Sequence, residues 1–171
     1  MDKPELLYHG SLYKQKELMP GFKRSGKLTV WDGVESNLNL YATSVKREAE
    51  LLGIGSAVEK EFNSDRFVEI NGDIWIFSDR LITLEEFLKL TIYVYTIPFR
   101  DSDGWQKNNN PYNNIDTEWT TRKTIHNVTV EEVDLREVMK GKVVTSTTAP
   151  MDTDFKVLLR RYPKDVLMYK F

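Results

Sequence analysis

The chain contains no cysteine. That excludes a disulfide framework, a thiolate nucleophile and any Cys-ligated metal site. Histidine is nearly as scarce: His9 and His126 are the only two, too few for a multi-histidine zinc centre, so no metal is expected. No apolar run approaches the ~20 residues a membrane-spanning helix needs. The segment Met1-Asp2-Lys3-Pro4-Glu5 is polar where a secretory signal carries an apolar core. Nor is there an excess of charge of one sign. Lys and Arg total 24 against 26 Asp and Glu, a net charge of −2, so nothing global draws the chain toward nucleic acid or an anionic membrane. A cytoplasmic protein without a membrane partner is the expectation.

What is present reads as an ordinary folded domain. The 171 residues are 40% hydrophobic and 29% charged, which favours a single domain over 1–171. Leu6 to Ser11 reads as a buried strand. Tyr13 to Gly33 is basic and punctuated by glycine, a loop-rich stretch with one helical turn expected near Lys14 to Met19. Asn39 to Thr43 reads as a second strand. Ser44 suits a helix N-cap, and Val45, Ala49, Leu52 and Val58 keep helical spacing to Phe62. Gly53 and Gly55 each cost that helix about 1 kcal/mol relative to Ala, so a break is expected there.

Further along, Asn71-Gly72 between Arg66–Ile70 and Asp73–Phe77 is a hairpin signal, because Asn-Gly accepts the positive φ angles of a type I′ turn. Thr83-Leu84-Glu85-Glu86 is a capping box ahead of a short helix. Thr91 to Ile97 alternates like a central strand that Pro98 stops. Asp101 to Asn114 reads as an exposed loop that packs no core. Strand character returns at Glu118 to Thr121 and from Ile125 to Val133. After Lys140 the signals are mixed, with Asp152 as a possible helix cap. Hairpin turns and clustered strands point to an α+β fold of two largely antiparallel sheets packed with a few short helices, not a doubly wound parallel sheet.

Two segments carry chemistry. Leu7-Tyr8-His9-Gly10-Ser11 sets a histidine on a strand beside a glycine, which leaves room for a ligand to approach the backbone. Leu40-Tyr41-Ala42-Thr43-Ser44 sets a tyrosine at the mouth of another strand, with a helix starting just beyond. Together they offer grips for a ribose and an aromatic ring. In order, with Leu18-Met19-Pro20-Gly21 between them and Glu48-Ala49 on the following helix, they resemble the ADP-ribosyltransferase superfamily. The similarity is to its His-Tyr-Glu branch, typified by diphtheria toxin, the poly(ADP-ribose) polymerases and the rifampin ADP-ribosyltransferases. It is clearest over 6–60 and rests on order and pattern over 91–134.

The resemblance implies an ADP-ribosyltransferase-like fold, NAD as co-substrate and a third element, a glutamate opening a later strand. Glu118 in Asp116-Thr117-Glu118-Trp119 fits best, since it follows an Asn-rich stretch where the family carries a target-recognition loop. Asp116 stands where arginine-modifying members carry another acidic or amide residue, and Glu131 and Glu132 are rivals for the acid. Cleavage of the nicotinamide–ribose bond develops positive charge on the ribose, as in glycosidases, and Glu118 would stabilise it. His9 would hydrogen-bond a ribose hydroxyl. Gly10 would offer its backbone to the nicotinamide amide, with Ser11 as a second contact, and Tyr41 would stack on the ring. Thr43 belongs to the same cofactor-binding set, and Lys14, Lys16, Lys23 and Arg24 would meet the pyrophosphate. A second tyrosine one helical turn on is missing, for the sequence reads Glu50-Leu51-Leu52; Trp31 or Tyr13 would substitute. An imidazole, a phenol and a carboxylate must line one shared cleft, and His9 and Tyr41 on opposite faces of the sheet would end this reading.

Taken singly, each residue has a plainer role. His9 is a hydrogen-bonded histidine at a strand end, Tyr41 a core ring with a satisfied hydroxyl, Glu118 a surface acid, and His126 structural. The expected activity is mono-ADP-ribosyl transfer to an acceptor that the sequence does not name. The alternatives are NAD glycohydrolase, a non-catalytic binder that sequesters an ADP-ribose-like or cyclic nucleotide signal, and an α+β interaction protein. A tRNA 2′-phosphotransferase fits less well because its basic residues and wing domain are not evident. An Asn- and Lys-rich chain is typical of an AT-rich bacterium or its phage, where toxins and effectors of this superfamily are common. Oligomeric state and any antitoxin partner stay open.

Overall fold

A computed structural model describes residues 3–21, 30–31, 34–35, 38–108, 116–149 and 166–171, without the side chains of 30, 31, 34, 35, 65 and 66. In chain order the elements are β1 (Leu6–Ser11), β2 (Val30–Trp31), β3 (Val34–Glu35), β4 (Leu40–Thr43), α1 (Lys46–Phe62), β5 (Ser64–Ile70) and β6 (Asp73–Ser78). Then follow α2 (Leu84–Phe87), β7 (Tyr93–Pro98), a 3-10 turn (Asp101–Asp103), β8 (Gln106–Lys107), β9 (Glu118–Thr121), β10 (Thr129–Glu132), α3 (Leu135–Met139), β11 (Val143–Thr147) and β12 (Val166–Lys170).

The strands form two main sheets, and the fold is α+β. The first has the order β10-β7-β1-β4-β9-β8, with every neighbouring pair antiparallel. The second has the order β12-β11-β6-β5; only β6 and β11 run parallel in it. A small ribbon pairs β2 with β3. One core cluster joins Ile54, Ala57 and Val58 of α1 to Ile74 and Ile76 of β6, with Phe87, Ile92 and Met139 around them. A second, on the opposite face of the first sheet, gathers Leu7, Leu40, Ala42, Tyr95, Ile97, Trp105 and Trp119.

Helix α1 runs unbroken through Gly53 and Gly55, against the expected break. The reason is packing. A Cβ on Gly10 would lie 1.9 Å from the Ala49 carbonyl oxygen, and one on Gly53 would lie 2.7 Å from Ile92 Cγ2. The helix therefore crosses β1 backbone to backbone, and the burial gained there offsets the glycine cost. Ser44 is not its cap: Val45 holds that position without a side-chain bond, and Thr43 Oγ1 accepts from Val45 N at 3.1 Å.

Local chemistry explains several other elements. Asn71 and Gly72 have φ of 53° and 87°, which suits the I′ turn of the β5–β6 hairpin. Thr83 and Glu86 exchange both capping-box bonds. The expected helical turn near Lys14 to Met19 does not form. That stretch is irregular and pinned from outside: the Tyr95 hydroxyl donates to Tyr13 O and accepts from Gln15 N, while Leu18 bridges to Ile125. The region from 101 contributes to the core after all, because Trp105 is buried beside Trp119. The strand expected from Ile125 is cut to β10, since Asn127 takes φ of 59°. The helix expected from Asp152 and part of the Asn-rich loop lie outside the described residues. Helix α3, whose Asp134 cap accepts from Arg136 N and Glu137 N, and strands β11 and β12 were not anticipated. No helix among the described residues is long and apolar enough to cross a membrane.

Two outcomes follow for stability. Gly10→Ala drives a methyl group into the α1 backbone, so urea unfolding is expected to show a loss of about 3 kcal/mol, at the upper end for overpacking. Tyr169 Oη is buried with no hydrogen-bond partner among the described residues, and that burial holds the phenol well above its usual pKa. Tyr169→Phe removes an unsatisfied polar group and is expected to stabilise by ~1 kcal/mol, raising Tm by about 2–4 °C. A raised folded pKa means that ionising the buried phenol costs stability: the cost is absent below pH ~10 and grows as pH rises beyond it. The variant should therefore lose less stability than wild type on going from pH 9 to pH 11.

Candidate functional site

Strand β1 is paired with β7 along its whole length, from Leu6↔Pro98 to Ser11↔Tyr93. With β4 it shares one register position, Tyr8↔Thr43. Beyond that point β1 follows β7 through His9 and Gly10, while β4 stays with β9 from Thr43↔Glu118 to Leu40↔Thr121. The two strands part, and a cavity of about 260 Å³ opens where they separate. Tyr8, His9 and Gly10 line it from β1, and Tyr41, Ala42 and Thr43 from β4. Ala49, Leu52 and Ser56 of α1 form another wall, and Glu118 of β9 completes it. His9, Gly10, Tyr41, Thr43 and Glu118, picked out along the sequence, thus border one space.

Their arrangement corrects one expectation. Residues paired across strands share a face and residues two apart share a face, so Tyr8, Thr43 and Glu118 form a row with Tyr41 on the side covered by α1. His9 leaves the opposite face with Leu7, its ring 6.2 Å from that of buried Tyr95. His9 and Tyr41 therefore do not share a face. By the criterion set from the sequence, the joint grip of both side chains on one nucleotide fails; what stands is that both residues border the opening where the strands part. The His9 side chain spans this gap, with Nδ1 2.7 Å from the Tyr41 carbonyl oxygen. A carbonyl only accepts, so Nδ1 carries the hydrogen and the neutral ring has its lone pair on Nε2.

Glu118 opens β9 and is buried, at 8% exposure. Its Oε1 accepts from Asn108 Nδ2, and Asn108 N donates to its backbone oxygen at 2.9 Å. Asn108 was missed because nothing local ties an amide in β8's flank to an acid ten residues on. On the same cavity, Tyr41 is 38% exposed and Leu52 49% exposed. Large side chains left this open at the border of a hollow suit a flat apolar ring. Leu52 takes the place expected of a second aromatic; the Trp31 side chain lies outside the described residues, and Tyr13 instead sits under the Lys60 ammonium, 4.3 Å from its ring centre.

The remaining candidates fall elsewhere. Ser11 is buried, accepts from Tyr13 N at 3.1 Å and does not line the cavity. Arg24 and Lys23 lie outside the described residues. Lys14 lies 5.9 Å from the Tyr93 ring centre, and neither it nor Lys16 reaches the wall. Glu131 and Glu132 stand on β10, separated from β4 by β7 and β1, so they are not rivals to Glu118 at this cavity. Asp116 is exposed on the turn before β9 and His126 pairs with Glu17 at the surface. No group of three or more metal-ligating acids or histidines occurs among the described residues.

Larger hollows exist, one of about 540 Å³ beside Leu90, Asp134 and Arg136 and one of about 550 Å³ beside Asn39, Gln106 and Arg122. Neither holds a buried carboxylate, and the smaller cavity does. No family model, no curated protein and no solved structure matches this chain.

Proposed function

We propose that the chain is an NAD-dependent mono-ADP-ribosyltransferase with an ADP-ribosyltransferase-like fold, and that the cavity between β1 and β4 takes the nicotinamide-ribose end of NAD. One observation carries this: the buried carboxylate of Glu118 borders the same hollow as the Gly10 backbone and the open Tyr41 ring. A space of about 260 Å³ is below the roughly 300–1,000 Å³ of sites that engulf a drug-sized ligand. It accommodates the reacting half of NAD, with the adenosine half outside.

In this scheme Tyr41 and Leu52 sandwich the nicotinamide ring, and Gly10 lets it approach the strand. Breaking the C1′–N bond sends the electron pair onto nicotinamide, which leaves neutral, and the positive charge passes to the ribose. The Glu118 carboxylate stabilises that charge and orients the nucleophile. The nucleophile bonds to C1′ and gives up its proton to solvent. With water in that place the outcome is NAD hydrolysis. His9 is recast from a ribose contact to the side chain that ties the two strand ends together through the Tyr41 carbonyl.

A second reading, capture of an ADP-ribose-like ligand without turnover, is favoured by the bond from Asn108 that already occupies one oxygen of Glu118. Both are tested by following nicotinamide release from NAD. Wild type is expected to release it, and Glu118→Gln to do so about 10²- to 10³-fold more slowly. Equal release by the two proteins would sink the assignment of Glu118; tight binding of ADP-ribose with no release would favour the binder. Free ADP-ribose as the sole product would mark a glycohydrolase.

A further inference from the structure

We infer that Glu48, in the first turn of α1, is a positioning residue that sets the place of Glu118 by drawing Thr43 and Thr117 together. This rests on the function proposed above for Glu118. Glu48 Oε2 lies 2.5 Å from Thr43 Oγ1, which donates to it, and accepts a second bond from the Thr117 hydroxyl. The two hydroxyls are 3.1 Å apart. Both residues are immediate neighbours of Glu118 by different routes. Thr43 is its partner across the ladder and Thr117 precedes it in the chain. A further bond, Ser44 N to Thr117 O at 3.0 Å, closes the knot.

The plain account of Glu48 is an acid in a helix's first turn, favoured by the helix dipole. That account does not explain where the carboxylate goes. Its sequence neighbours Lys46 and Arg47 pair with Glu131 and Glu50 instead, and Glu48 turns to two neutral hydroxyls, one on β4 and one on the turn before β9. Hydrogen bonds to a carboxylate are shorter and stronger than neutral ones. One oxygen accepting from two hydroxyls therefore fixes the end of β4, the start of β9 and the start of α1 as a unit. Glu118 is the first residue of β9, so its carboxylate inherits whatever freedom this junction has.

The test compares Glu48→Ala, Thr117→Val and Thr117→Ser, with Glu50→Ala as a control for losing an acid from the same helix end. Misplacing a reacting group by about 1 Å costs up to ~10²-fold in rate, so kcat for nicotinamide release is expected to fall by about 10-fold or more in Glu48→Ala and Thr117→Val. KM for NAD should stay near wild type, and Thr117→Ser, which keeps the hydroxyl, should retain turnover. The double variant Glu48→Ala/Thr117→Val should be no slower than either single one, because both break the same unit. Amide exchange at Ser44 supplies a readout independent of turnover: it should speed up in Glu48→Ala and not in Glu50→Ala. Unchanged kcat in Glu48→Ala, a loss matched by Glu50→Ala, or independent losses in the double variant would overturn the inference. If wild type releases no nicotinamide, the enzyme reading falls on that result, whereas unchanged Ser44 exchange in Glu48→Ala refutes the junction itself.

Discussion

The close crossing of β1 and α1 is the constraint on which the other features depend. At Gly10 the strand lies against the backbone of Ala49 and Gly53, with no space for even a methyl group between them. That contact seats the helix so that Ile54, Ala57 and Val58 reach the core, while Ala49, Leu52 and Ser56 face the opening beside β1. It also holds β1 toward β7 and the helix. Strand β4 is free to follow β9, and the gap between them becomes a cavity. Ordinary side chains at Gly10 and Gly53 would lift the helix away and remove one wall.

The chemistry of the cavity follows from where the strands part. A continuous ladder would satisfy the backbone groups of β1 and β4 with each other and fill the space. Here the Tyr41 carbonyl takes the His9 imidazole instead. The buried acid has Asn108 on its carboxylate and the Thr43–Glu48–Thr117 unit beside it.

Some of this was legible along the chain because local chemistry decides it. Asn71-Gly72 needs positive φ angles that few residues adopt, and Thr83 with Glu86 satisfies its own helix end. The alternation of β7 and the β-rich flanks of Glu118 set strand type within a few residues. Other features were hidden for physical reasons. Gly53 and Gly55 weaken an isolated helix, and only the strands packed on them, β1 on Gly53 and β5 on Gly55, make them useful. Trp105 sits in a polar stretch, and its burial depends on β8 pairing with β9. Strands β11 and β12 have mixed patterns that make sense once β6 lies beside them.

Sequence by itself determined that the chain lacks thiol chemistry and follows an α+β pattern, and that a His-Gly strand, a Tyr-bearing strand and an acid-led strand occur in that order. These are matters of composition and short-range spacing. Tertiary structure alone decided that His9 and Tyr41 leave opposite faces and yet border one opening. It also placed Glu118, and not Glu131 or Glu132, at that opening and brought Glu48 to Thr117. Each of these depends on which strands sit side by side and where two of them separate, and long-range pairing leaves no periodic trace in any single segment.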